Sequence, residues 1–265
     1  MQTGISTASL FIRKNTEEAL QFLAQNKIPT AEVFLESYCE YMKPFGEVLN
    51  SVKGDTKIHS IHTLTTQFEP QLYSLNERAM ADSFKLLNMT METAQTIGAK
   101  YFTFHGPARL KKTPITINYD RVAEITQRII DTLKGYEMAL AYENVHWAYY
   151  NYIGFFKEIR KRTSGLKGTL DIKQARQSDV EVLDLIKEMN SDIVTVHLSD
   201  IDQNGKMCLP GKGVTDFKQL FNWLKDVGFD GALLLEVYQN DYNEYSELFD
   251  SYQYISELAD KVFVK

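Results

Sequence analysis

Ionisable side chains stand at the ends of several short apolar segments in this 265-residue chain. In MALAYENV the residues that lead up to Glu143 are almost all apolar, and in GALLLEVY the same holds for Glu236. The residues placed in this way are His62, His105, Glu143, Asp171, His197 and Glu236. Three of the five histidines of the chain belong to this set, so we interpret it as the candidate source of chemistry.

Four members of the set form a mixed donor group, namely Glu143, Asp171, His197 and Glu236. Three carboxylates that lie close together repel one another and raise one another's pKa, unless a cation lies among them. We therefore expect these residues to bind one divalent metal ion, with coordination positions left open for a substrate. Oxygen and nitrogen ligands suit Mn²⁺, Co²⁺, Zn²⁺ or Mg²⁺, and the sequence does not choose among these ions.

The elements that must position these residues repeat along the chain. Short β-rich apolar runs alternate with amphipathic helical stretches. The candidate strands begin near Gly4, Ala31, Lys57, Lys100, Met138, Leu166, Asp192 and Gly231. Helix boundaries can be recognised between them, because Asp216 precedes one apolar helical face and Gly228 follows it. Such alternation is typical of βαβ units and a parallel sheet.

The number of units favours one domain over two. Eight units in 265 residues average about 33 residues each, close to one βα repeat of a closed barrel. A doubly wound open sheet would favour a glycine-rich phosphate loop after the first strand, where this chain has Ser9-Leu10-Phe11-Ile12. We therefore predict an α/β fold, a single (β/α)8 TIM barrel domain over residues 1–265. The carboxyl ends of its strands would bring the six ionisable residues together.

Composition and charge limit the partners. With 29 Lys+Arg against 35 Asp+Glu the net charge is −6, which argues against a general nucleic-acid binder. No apolar run approaches the roughly 18 residues of a membrane helix, and the first residues do not resemble a signal peptide. Cys39 and Cys208 are the only cysteines, which is typical of reduced thiols. We expect a cytoplasmic protein that binds neither nucleic acid nor membrane.

The motifs around the donor group resemble those of the xylose-isomerase-like, AP-endonuclease-type TIM barrels. The matching stretches are AYENV with Glu143, LDIKQA with Asp171, VHLSD with His197, LLEVY with Glu236, and the PGKGVTDF turn from Pro210. This resemblance covers nearly the whole chain. It implies one metal held by the four donors, with the two glutamates transferring protons as in ketose epimerases of this fold. The endonuclease branch also resembles the chain at His62 and His105. This resemblance implies, as a further expectation, a second metal near these two histidines.

Two positions depart from the endonuclease pattern. That branch holds a third metal with a histidine three residues after the aspartate and an Asp-x-His before the glycine turn. This chain has Gln174 at the first position and Gly205-Lys206-Met207 in the second stretch. We therefore expect no third metal, which disfavours cleavage of phosphodiesters. Ketose epimerases also commonly carry a histidine near the aspartate, so Gln174 leaves the mode of substrate recognition open.

These observations predict a divalent-metal-dependent isomerase or epimerase of a sugar, sugar phosphate or related hydroxy-carbonyl compound. The metal would polarise a carbonyl and stabilise an enediolate, with Glu143 and Glu236 as base and acid. Candidate substrate contacts are His62, His105, His146, Trp147, Lys173, Gln174 and Lys206. The lysines could bind a substrate phosphate or be solvated surface charges, and the first two histidines could contact substrate instead of a second metal.

Three alternatives stay open. A dehydratase acting on a keto-inositol-like compound would share the first proton abstraction and then expel a hydroxyl group. Gln174 and Met207 disfavour an endonuclease-type phosphodiesterase, and the complete donor group disfavours a catalytically silent sugar-binding barrel. The expected partner is a small carbohydrate. The tyrosines from Tyr238 to Tyr254 could also support a homo-oligomer, although packing of the last helix would explain them as well.

Overall fold

The computed structural model describes residues 1–64, 67–109 and 116–263. Within these ranges, eight parallel strands form a closed barrel. The barrel strands are β1 (Gln2–Ser6), β2 (Thr30–Leu35), β3 (Lys57–Thr63), β4 (Tyr101–Phe104), β5 (Ala139–Glu143), β6 (Lys167–Asp171), β7 (Ile193–Leu198) and β10 (Ala232–Leu235). Because β1 pairs with both β2 and β10, the sheet has no free edge. A separate antiparallel ribbon of β8 (Asp200–Ile201) and β9 (Met207–Cys208) follows β7.

Helices connect the strands. They are α1 (Thr16–Gln25), α2 (Lys43–Val52), α3 (Glu77–Ile97), α4 (Tyr119–Lys134), α5 (Phe155–Arg160), α6 (Ile172–Gln177), α7 (Val182–Met189), α8 (Phe217–Asp226) and α9 (Tyr245–Phe263). Short 3-10 helices lie at Thr7–Leu10, Tyr38–Tyr41, Glu69–Tyr73 and Asn190–Asp192. This arrangement is a (β/α)8 TIM barrel, so the predicted fold class is confirmed. In the described ranges, no helix is long and apolar enough to span a bilayer.

Local sequence signals determine where the helices begin and end. The Asn76 side chain accepts hydrogen bonds from the first N–H groups of α3, and Gly98 ends that helix at a φ of 78°. Asp216 caps α8 in the same way, by accepting from the backbone N–H of Gln219 at 2.9 Å. Capping side chains satisfy N–H groups that the first turn leaves unpaired, and glycine tolerates positive φ. The boundary predicted at Asp216 is therefore confirmed.

A buried aspartate holds the loop that follows the ribbon. Oδ2 of Asp200 accepts the backbone N–H groups of Gly211 and Gly213, and Oδ1 accepts that of Thr215. A Cβ on Gly213 would lie 2.2 Å from the carbonyl oxygen of Ile201, so only glycine fits this turn. The PGKGVTDF motif thus wraps around Asp200, and this carboxylate has a structural role.

The tyrosines of the last segment differ in their surroundings. Tyr242 is buried, and its hydroxyl donates to the carbonyl oxygen of Ser9 at 2.7 Å. Tyr238 and Tyr254 are exposed. Packing on the barrel therefore explains Tyr242, and a homo-oligomer stays a prediction.

His59 is a buried histidine deep in the barrel, away from the strand ends. A β-bulge at Ala31/Glu32 shifts the register beside it. Its Nε2 lies 3.0 Å from the hydroxyl of Thr195 and 3.1 Å from the carbonyl oxygen of Val194. Burial lowers the pKa of His59 to about 4, because the charged imidazolium is poorly solvated there.

We predict that His59 makes the fold less stable in acid. The folded pKa lies below the usual histidine value of about 6.5, so the unfolded chain takes up this proton first and stability is lost as pH falls from 6.5 to 4. The full effect is on the order of 3 kcal/mol. Denaturant unfolding of chelator-treated protein across this pH range should show a smaller loss for His59→Gln than for the wild type. Equal pH dependence in the two proteins would contradict the prediction.

Candidate metal centre and active site

The barrel brings all six ionisable residues of the predicted set to the carboxyl end of its strands. In the pairing of β6 with β7, Asp171 lies opposite His197. Glu143 ends β5, and Glu236 directly follows β10. None of the six residues exposes more than 8% of its surface. Side chains that alternate along a strand point in turn to the barrel interior and to the helices, and these point inward.

One imidazole nitrogen faces three carboxylates. Nδ1 of His197 lies 3.1 Å from Glu143 Oε1, 3.4 Å from Glu236 Oε2 and 3.8 Å from Asp171 Oδ2. One ligand atom from each of these four residues lies within 4.8 Å of the others. The structure therefore brings together the four residues that the sequence predicted as a donor group, and metal binding by them stays a prediction.

The electrostatics of the group fit a divalent cation. Burial raises the pKa of Glu236 to about 7, since His197 and Lys173 offset the loss of hydration only in part. Burial would also raise the pKa of Glu143, but its contacts with His105 and His197 hold that pKa well below the usual range. Oε2 of Glu236 has no hydrogen-bond partner among the described residues, although it is buried. An ion bound by one nitrogen and several carboxylate oxygens would supply the missing partner.

His62 and His105 form a second group that shares Glu143. Their Nε2 atoms lie 2.9 Å apart, and Nε2 of His105 lies 3.1 Å from Glu143 Oε2. Burial and the charge of His105 together lower the pKa of His62 to about 4, although Glu32 and Glu143 act in the opposite direction. For His105 burial also acts to lower the pKa, but Glu69 and Glu143 outweigh it and raise the pKa to about 10. These three residues could share a cation, so a second metal stays a prediction.

Sequence reasoning missed two buried glutamates beside the site. Glu32 lies inside the barrel on β2, where its Oε1 is 3.0 Å from Nε2 of His197. A charged residue within the apolar run AEVFL was a signal for it, since such a residue rarely enters a barrel without a role. Glu69 accepts the backbone N–H of His105 at 2.8 Å and lies 3.3 Å from its Nδ1. Glu69 comes from a connection after β3, and no sequence pattern marked it.

A cavity of about 220 Å³ opens above the donor group. Aromatic side chains form part of its wall, namely Phe11, Phe34, Trp147 and Tyr238. Its polar lining includes His62, His105, Glu143, Lys173, Gln174 and Glu236. A larger surface groove of about 460 Å³, which Arg176 and Trp223 help to line, contains none of the six ionisable residues and offers no comparable chemistry.

Lys173 is a buried cation at the edge of the donor group. Its side chain is only 2% exposed, and its Nζ lies 3.9 Å from Asp171 Oδ2 and 4.1 Å from the ring centre of Tyr238. Burial would lower the pKa of Lys173, but Asp171 and Glu236 raise it above its usual range. The ammonium group therefore keeps its charge while it faces the cavity.

Two predicted substrate contacts do not line the cavity. His146 is exposed and donates to the side-chain oxygen of Gln174 through its ring Nδ1, at 2.6 Å, so it orients a residue of the cavity wall. Lys206 is exposed in the turn of the ribbon, where its backbone N–H donates to Asp202 at 2.9 Å. The ribbon carries Lys206 away from the strand ends, and the structure does not bring it together with the other candidates.

Comparison with known proteins identifies the family of this chain. Residues 20–256 match the xylose isomerase-like TIM barrel family, so the chain belongs to that family. No curated protein matches the chain by sequence.

Solved structures show the same fold at low sequence identity. A D-tagatose 3-epimerase-like protein has a TM-score of 0.78 and 17% identity, over 99% of this chain and 98% of its own. The IolI protein with a bound zinc atom has a TM-score of 0.79 and 16% identity over 100% of both chains. D-psicose 3-epimerase from Clostridium cellulolyticum H10 has a TM-score of 0.78 and 12% identity over 99% of both chains.

We predict that Asp171→Asn will abolish tight metal binding without unfolding the protein. Asp171 Oδ1 accepts the N–H of Gln174 at the start of α6, and an asparagine oxygen can still do so. Loss of a ligand should lower zinc or manganese affinity by more than about 100-fold. Changing a residue that only hydrogen-bonds a ligand usually costs less than this. Asp216→Asn changes a comparable helix cap far from the site and is the matched control.

Two measurements check this prediction. Chelator competition should show the loss of affinity in Asp171→Asn but not in Asp216→Asn. Metal at 100 times its Kd should stabilise the wild type by about 2.7 kcal/mol, and should leave Asp171→Asn unchanged at the same concentration. Wild-type affinity in Asp171→Asn would show that the ion binds elsewhere.

Proposed function

We propose that the protein is a divalent-metal-dependent isomerase or epimerase of a small sugar, sugar phosphate or related hydroxy-carbonyl compound. One observation carries the proposal. Of the four donors, Glu143 and Glu236 also line the cavity, whereas Asp171 and His197 do not. The two glutamates can therefore reach both an ion and a substrate, and the other two residues serve the ion alone.

The ion, when bound, would supply Lewis acidity that polarises a carbonyl and acidifies the neighbouring C–H bond. The remaining roles belong to side chains. One glutamate removes the proton from that carbon, and the other returns a proton to the same or the adjacent carbon. Return to the same carbon from the opposite face gives an epimer, and return to the adjacent carbon gives an aldose–ketose isomer. We assign these two roles to Glu143 and Glu236 as a pair.

The rest of the cavity favours a single small carbohydrate. Its volume of about 220 Å³ lies below the range of about 300–1,000 Å³ that is usual for drug-sized ligands. Phe34 and Trp147 offer apolar faces for the C–H side of a sugar and keep water from the reacting carbon. Lys173, His62 and His105 offer polar groups to substrate oxygens. Membership of the xylose isomerase-like family also supports this reading, as do the epimerases among the similar structures.

A dehydratase acting on a keto-inositol-like compound is the second candidate. The observation that favours it is the position of His105 beside Glu143, with Nε2 at 3.1 Å from Oε2. A protonated His105 could give its proton to a hydroxyl group that leaves after Glu143 has removed the first proton. This reaction forms an enone, which an isomerase or epimerase does not form.

We predict that the metal-loaded enzyme will place deuterium on carbon when it is incubated with a ketose panel in D₂O. Because Glu236 takes part in proton transfer, Glu236→Gln should abolish this exchange while substrate still binds. Glu124→Gln, an exposed change on α4, is the control and should exchange at the wild-type rate. Mass spectrometry and NMR of the recovered sugars measure the exchange.

Other outcomes separate the alternatives. Enone absorbance with a keto-inositol would identify the dehydratase. Absence of both deuterium and enone with every sugar, keto acid and keto-inositol tested would contradict the proposed function. Sugar binding under those conditions would instead indicate a catalytically silent binding barrel.

A further inference from the structure

Glu32 is a fully buried carboxylate beside the donor group, and the proposed chemistry does not use it. The residue has no exposed surface. Three hydroxyl groups donate to it: Ser6 at 3.2 Å to Oε1, and Ser60 and Thr103 at 2.7 Å each to Oε2. A buried charge that has several donors is costly to remove and held firmly in place.

The two nitrogens of His197 face different partners. Nδ1 faces the carboxylates of the donor group, with Glu143 Oε1 at 3.1 Å. Nε2 lies on the opposite side of the ring, 3.0 Å from Glu32 Oε1, although the angle between them is not that of a regular hydrogen bond. A neutral imidazole has one N–H and one lone pair. If an ion takes the Nδ1 lone pair among the three carboxylates, the proton must lie on Nε2, and Glu32 Oε1 is the carboxylate oxygen beside it.

We propose that Glu32 is the positioning residue of the metal centre, which holds Nε2–H of His197 so that Nδ1 faces the ion. Histidine ligands commonly donate their second ring N–H to a carboxylate, which fixes the ring and makes the ligand more basic. The inference rests on the proposed metal-dependent function, but it concerns metal binding and not turnover.

A role for Glu32 as a ligand itself is less well supported. Glu32, His62 and Glu236 could also offer atoms to one ion. Oε1 of Glu32 is the atom nearest Nδ1 of His62, at 3.8 Å, but it already accepts the hydroxyl of Ser6 and lies 3.0 Å from Nε2 of His197. Coordination through Oε1 would draw it away from these two groups, whereas the positioning role keeps both contacts.

The test compares Glu32→Leu and Glu32→Gln in the zinc-loaded protein. Leucine removes the acceptor for Nε2–H, and we expect zinc affinity to fall by about 10- to 100-fold. Glutamine keeps an oxygen that can accept this N–H, so Glu32→Gln should lose less affinity than Glu32→Leu. Thr195→Val is the matched control. Thr195 lies on the same strand as His197, but its buried hydroxyl contacts His59 and not the metal centre. This variant should lower stability without changing zinc affinity.

A second readout follows the ring N–H directly. In protein with ¹⁵N-labelled histidine, zinc-loaded wild type should show His197 bound through Nδ1, with a slowly exchanging and strongly deshielded Nε2–H. This signal should exchange faster and move upfield in Glu32→Leu and, to a smaller extent, in Glu32→Gln. If the leucine variant fails to fold, the shift in the glutamine variant still decides the question.

Two results would overturn the proposal. Wild-type zinc affinity together with an unchanged His197 N–H in both variants would show that Glu32 only fills the barrel. A loss of affinity as large as in Asp171→Asn, with the N–H signal unchanged, would show that Glu32 is a ligand. If wild type binds zinc as described but exchanges no deuterium, the proposed function fails while the role of Glu32 stands.

Discussion

The structure depends on the burial of several negative charges at one end of the barrel. Glu32, Glu143, Asp171 and Glu236 all lie within the same small volume, and none of them exposes more than 8% of its surface. Charges in a medium of low dielectric constant are tolerated only when they are paired and hydrogen-bonded. The polar architecture of the site can be understood as the compensation for this charge.

The compensation is divided among three kinds of partner. Hydroxyl groups from β3 and β4 donate hydrogen bonds to Glu32, and backbone N–H groups of His105 and Gly106 do the same for Glu69. Lys173 offsets part of the charge of Asp171 and Glu236. In the pocket among Glu143, Asp171, His197 and Glu236, the buried Oε2 of Glu236 still has no hydrogen-bond partner among the described residues, and the proposed divalent cation would supply one. Glu143 and Glu236 of this pocket also line the cavity, so a substrate bound in the cavity would meet the proposed cation and the two glutamates at once.

Periodicity made most of the fold predictable. Each apolar run found in the sequence corresponds to a barrel strand. A parallel strand that is buried on both faces must be apolar, and the apolar run ends where the chain leaves the barrel for the connection to the next element. The strand-end residues followed from the same pattern. Glu32 could have been found from its charge within an apolar run, whereas Glu69 could not, since its position depends on how a connection folds over the barrel. Lys206 shows the same limit, because the ribbon that removes it from the cavity is set by contacts of Asp200 and Asp202.

The most direct test of the central claim is the location of the ion. Anomalous diffraction from crystals of the zinc- or manganese-loaded protein should show a peak among Glu143, Asp171, Glu236 and Nδ1 of His197. For zinc the ligand distances should be about 2.0–2.2 Å. A peak found only between His62 and His105, or no retained ion in the crystals, would contradict the claim that the four strand-end residues form the metal centre.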